Sequence, residues 1–87
     1  MALINMTRHA RCRAQQRGIN DKAIELLISF GHSVPVGRSC QRIYFRKSCL
    51  RELADEIGIK PSMIERLRHI YAVVADDGSI VTVAHFH

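Results

Sequence analysis

The spacing of apolar residues changes along this chain, and each change marks an element. Residues 1–6 are short and apolar, which predicts an edge strand or a lead-in that packs under the first helix. Thr7 suits an N-cap and Gly18 the residue just past a helix end, so a first helix of about ten residues is expected between them. That helix is poor in large apolar side chains. Asn20 then caps a second helix, with Asp21 in its first turn and Gly31 closing it. Ala23, Ile24, Leu27 and Ile28 recur at helical spacing, so this second helix is expected to anchor the core.

Beyond Gly31 the period shortens. Residues 34–37 are extended and interrupted by Pro35, which places them at a sheet edge, and residues 41–45 read as a short strand. Helical spacing returns over residues 48–57 through Cys49, Leu50, Leu53 and Ile57, and stops at Gly58; Pro61 opens another short helix through Leu67. Residues 70–75 and 79–84 are rich in β-branched side chains and flank Asp76-Asp77-Gly78, which predicts a hairpin. The order implies an α+β fold. Two N-terminal helices pack on a small antiparallel sheet, with a helical insertion before a C-terminal β-hairpin.

A length of 87 residues fits one domain, residues 1–87, and excludes a large enzyme with a separate cofactor domain. The net charge is +5, but it is unevenly placed: residues 1–48 carry a balance of +7 and residues 49–87 a balance of −2. A basic N-terminal half suits a polyanion, most simply a nucleic acid, whose phosphates set affinity through counterion release. An acidic antitoxin-like protein or an anionic membrane surface would suit it too. No apolar run approaches the ~20 residues needed to span a bilayer, so no membrane is expected. Three cysteines at unpatterned spacing, Cys12, Cys40 and Cys49, together with no positively charged segment leading into an apolar one, read as a cytoplasmic protein with reduced thiols.

The charge is densest over residues 7–19, which hold four arginines, one histidine and no acid. At roughly 100° per residue, His9, Arg13 and Arg17 fall along one helix edge with Gln16 beside them. Metal-free cleavage of RNA needs a base for the 2′-hydroxyl proton, an acid for the leaving 5′-oxygen and cations for the charge that develops on the phosphate. Histidine serves either proton transfer near neutral pH, and arginine grips phosphate through two parallel N–H donors. His9 and His85, with Arg13 or Arg17, supply these groups; a basic helix whose charges merely face water is the competing reading. His85 and His87 share one strand face and invite a metal, with His9 and Cys12 completing the set, but a structural zinc site has paired ligands on both sides and this chain offers one pair. No metal and no other cofactor is expected. Residues 50–68 resemble a helix-turn-helix with the hairpin as its wing, a DNA-binding alternative. Their four basic and four acidic residues cancel, whereas a recognition helix concentrates positive charge.

Three segments together resemble the domain-of-unknown-function 4258 family. They are Thr7-Arg8-His9-Ala10-x-x-Arg13-x-x-x-Arg17-Gly18-Ile19, Gly31 after the second helix, and the closing hairpin from Tyr71 through Asp77-Gly78-Ser79 to Thr82-Val83-Ala84-His85. Members of that family open on T-x-H-A-x-x-R-x-x-x-R-G-I and close near T-V-x-H. The family is similar to the small toxins of RelE type and to colicin-like ribonucleases. The resemblance therefore implies a RelE-like domain that acts on messenger or transfer RNA without metal. It carries functional roles to His9, Arg13, Arg17, Thr82 and His85. We assign catalysis to His9, Arg13 and His85, substrate binding to Arg17, Thr82 and Tyr71, and note that Tyr71 and Tyr44 have rings able to stack on bases. Thr82 and His85 are three apart, so an ideal strand sends them to opposite faces unless a bulge intervenes or the strand ends first.

Overall fold

The chain runs α1 (Arg8–Arg17), α2 (Asp21–Phe30), β1 (His32–Pro35), β2 (Cys40–Tyr44), α3 (Lys47–Glu52), a π-helical turn (Leu53–Ile57), α4 (Pro61–Leu67), β3 (Ile70–Ala75) and β4 (Ile80–His85). The computed structural model describes residues 5–86, so residues 1–4 of the expected lead-in and His87 of the expected histidine pair lie outside the described residues. The α+β class and the order of elements are those expected. Thr7 Oγ1 accepts the Ala10 N–H at 3.1 Å and starts α1; Gly18 ends it at φ 67°, a left-handed conformation that costs glycine little. Asn20 starts α2 in the same way, its side-chain oxygen accepting the Ala23 N–H at 2.8 Å.

The four strands form one antiparallel sheet in the order β1-β2-β3-β4, with α3, the π-helical turn and α4 inserted between β2 and β3. Ile43, Ala72 and Val83 lie in register across β2, β3 and β4 and are buried, so one face of the sheet carries the core. Over it, α2 buries Ala23, Ile24, Leu26 and Leu27, while α1 contributes only Ala10 and Ala14. Two expectations change. Ile28 is 41% exposed, because it lies about 120° around the helix from the Ala23–Leu27 line and Leu26 takes its place. Ile57 is 48% exposed although Leu53 is fully buried. The π-helical turn closes five residues on, with the Gly58 N–H donating to the Leu53 carbonyl, so the residue four on no longer stands over Leu53.

The sheet edges are managed differently. Pro35 removes a donor from β1, the free edge. At the other edge, Met6 makes a parallel bridge with Ile80, and the Ile80 N–H donates to the Asn5 carbonyl at 2.8 Å. The β3–β4 turn places Gly78 at φ 88°, and the Gly78 N–H donates to the Ala75 carbonyl at 2.9 Å. Pairing then shifts between Val73 and Val74, which leaves Val81 as an extra residue, a β-bulge. No helix among the described residues is long and apolar enough to cross a membrane.

Candidate functional site

Helix α1 and strand β4 leave a common start. The Thr7 N–H donates to the Ile80 carbonyl at 3.0 Å, and the Thr7 hydroxyl donates to the Val81 carbonyl at 3.4 Å. From Thr7 to Arg17 the helix advances about 15 Å. From Val81 to His85 the strand advances about 13 Å. The far ends therefore coincide, and Arg17 and His85 both line a cleft of about 740 Å³. Asn20 and Ala23 at the start of α2 form one wall; Ser62, Glu65 and Arg66 of α4, followed by His69, form another.

The other expected residues are distributed by the same geometry. Each four-residue step along the row His9, Arg13, Arg17 rotates about 40° toward the buried Ala10–Ala14 line. Arg17 thus reaches the cleft, Arg13 is half-buried on the flank and His9 is exposed. His9 also lies about 12 Å short of Arg17 along the helix axis. The structure brings Arg17 and His85 together and leaves His9 and Arg13 outside the cleft. For Thr82 and His85, the bulge at Val81 precedes both and the strand continues through His85, so the two point to opposite faces. His85 shares the core-side face with Val83. Thr82, paired with Val73, and Tyr71, paired with Ala84, occupy the sheet face away from the helices.

The cleft also gathers residues that sequence reasoning passes over. The Glu65 carboxylate lies 3.4 Å from His69 Nε2 and 3.3 Å from Arg68 Nη1. These hydrogen bonds, that to His69 foremost, hold the Glu65 carboxyl below its ordinary value. A carboxylate on Nε2 favours the tautomer that carries a proton there, which leaves Nδ1 of His69 free to accept one. The four-residue spacing of Glu65 and His69 at the end of a helix is the signal that would have singled them out. Neither Arg17 nor Arg66 has a carboxylate partner among the described residues, so both keep their charge available to an anion.

No group of three or more potential metal ligands occurs among the described residues, and Cys12, Cys40 and Cys49 are free thiols. The second helix of the helix-turn-helix look-alike, α4, has seven residues and buries Leu67 in the core. Its would-be wing is built into the sheet, because β3 pairs with β2 as well as β4. Comparison with protein-family models, curated proteins and solved structures finds no match to this chain.

Proposed function

We propose that this protein is a cytoplasmic, toxin-like endoribonuclease that cleaves RNA without a metal ion, using the cleft at the far end of α1. The observation that carries the reading is the meeting of Arg17 and His85, residues from opposite ends of the sequence, with Arg66 and His69 in one cleft. Two imidazoles, with two guanidiniums that have no carboxylate partner among the described residues, are groups suited to a 2′-hydroxyl attack on phosphorus. His69, oriented by Glu65, removes the 2′-hydroxyl proton through Nδ1. The 2′-oxygen bonds to phosphorus, the P–O5′ bond breaks, and protonated His85 donates a proton to the departing 5′-oxygen. The products are a 2′,3′-cyclic phosphate and a 5′-hydroxyl, so no further reactant is needed. Arg17 and Arg66 hold the phosphate and offset its developing charge. The first turn of α2, with its positive dipole end, opens on the same space.

On this reading α1 has a second role. Arg8, Arg11 and Arg13 are not in the cleft; Arg13 extends a positive track from Arg17 along one flank of α1, and Arg8 and Arg11, on the other flank, strengthen the field that draws RNA toward the cleft. An acidic antitoxin-like protein would neutralise the enzyme by occupying that track. The test is incubation of purified protein with total or ribosome-bound RNA in EDTA, followed by analysis of the product ends. Cleavage leaving cyclic phosphate and 5′-hydroxyl ends is expected. RNA that stays intact in every context, or ends bearing 3′-hydroxyl and 5′-phosphate, would sink the proposal.

A further inference from the structure

The sheet face turned away from the helices carries a continuous set of rings. His32 meets Tyr44 edge to face with centroids 5.7 Å apart, Tyr44 meets Phe86 at 6.1 Å, and Phe86 meets Tyr71 at 4.8 Å with a 40° tilt. The Arg42 guanidinium lies over the Tyr71 ring, 5.3 Å from its centroid. Strand register explains the grouping. Tyr44 and Tyr71 are directly opposed on β2 and β3, Arg42 and Val73 form the next row, and Phe86 follows β4, where its N–H donates to the His69 carbonyl at 2.7 Å. These residues occupy the alternate positions to buried Ile43, Ala72 and Val83 and remain partly exposed, Phe86 by 40%.

The chemistry of this face is selective. None of the strands β1, β2, β3 or β4 contains an acidic residue, and exposed Arg38 and Arg46 flank β2 at either end. Arg42 has no carboxylate partner among the described residues, and its Nε is shielded without a hydrogen-bond partner. Rings interleaved with cations, on strands without acids, match single-stranded nucleic acid. Each base offers a π face to a ring, and each phosphate a charge to an arginine. Phe86 supplies the connection to chemistry, because it both touches Tyr44 and Tyr71 and lines the cleft that holds Arg17 and His85.

We infer that the uncovered sheet face, through Tyr44, Tyr71, Phe86 and Arg42, is a stacking platform for single-stranded RNA that leads the strand over Phe86 into the cleft. This rests on the RNA reading of the cleft and extends it to the bases beside the scissile phosphate. An antiparallel sheet of this kind has room for about two or three stacked bases. The rest of the strand continues past Arg17 and along the Arg13 flank of α1.

The chain has two tyrosines and no tryptophan, and both tyrosines are on this face, so their ring resonances report on it alone. The experiment titrates the full chain with a fluorescein-labelled, uncleavable 2′-O-methyl hexanucleotide, reading anisotropy and the NMR shifts of the two rings. Both rings are expected to shift, and Phe86→Leu and Tyr71→Leu, which keep apolar bulk but lose the π face, are each expected to weaken binding about tenfold. Circular dichroism checks that the variants fold, and the wild-type ring shifts need no variant. Unmoved rings with unchanged affinity in both variants, while Arg17→Gln weakens binding, would overturn the platform and leave the cleft reading standing. Ring shifts and tenfold losses without cleavage of ordinary RNA would support the platform and remove the nuclease reading. No binding by the wild type, with self-association that Phe86→Leu abolishes, would overturn the platform in favour of a second copy on this face.

Discussion

At the scale of single residues, His85 owes its position to one inserted residue. Counting by twos from buried Ile80 would send Thr82 to the core and His85 to the open face. The bulge at Val81 reverses both, so Val83 is buried and His85 turns toward Arg17. Gly31 is constrained by space rather than by its φ of −72°: a Cβ there would collide with the Leu27 carbonyl and the Ile43 side chain, where α2 turns into β1. Gly31→Ala is therefore expected to cost about 1–3 kcal/mol, read from the midpoint of urea unfolding. Glu65 makes a prediction in pH. Its carboxyl is held below the ordinary 4.5 by His69 and then Arg68, so whatever these contacts contribute is present above that value and lost as pH falls through the lowered one. A carboxyl carbon NMR titration should find its midpoint below 4.5, and His69→Gln should move it upward. A midpoint at the ordinary value in the wild type would contradict the orienting role given to Glu65.

At the scale of elements, α1 combines two functions on two sides. Ala10 and Ala14 let its backbone lie close against β4, and the rest of its surface carries four arginines among other polar residues and no acid. Arg13→Glu should weaken RNA binding at low salt and flatten its salt dependence, because fewer phosphate counterions are released, while the turnover of bound RNA changes little. Fluorescence anisotropy over a salt series, beside single-turnover cleavage, separates the two effects; an unchanged salt slope would remove the track. Most element ends were legible in the sequence because local chemistry sets them: Thr7 and Asn20 as caps, Gly18 and Gly58 at positive φ, Pro61 at a helix start, Gly78 in the hairpin turn. The irregular features were not. A π-helical turn and a bulge each break the period that a sequence pattern assumes, and both arise from how neighbouring elements pack. The cleft was legible only in part, since Arg17 and His85 stand out by type, whereas Glu65, Arg66 and His69 join them only once α4 lies beside the start of α2.

At the scale of the whole molecule, the fold gives the sheet two different faces and a connection between them. One face is covered by α1 and α2 and holds the core; its end opens into the cleft. The other displays rings and Arg42, and Phe86 belongs to both. The Cα radius of gyration of 12.3 Å is close to the ~12 Å expected of one compact unit of this length, so the ends of α1, β4 and α4 can meet without a second domain. The asymmetric charge fits the same plan, since the +7 balance of residues 1–48 includes α1 and β2, which border the two surfaces proposed to meet RNA. The most direct test compares single-turnover cleavage of one RNA in EDTA by His85→Asn and His9→Ala. His85→Asn should slow cleavage by about 10²–10⁴-fold at saturating protein, as expected for loss of a general acid, whereas His9→Ala should stay within about twofold of wild type. Equal rates for wild type and His85→Asn, or a large loss confined to His9→Ala, would contradict a cleft built on Arg17 and His85.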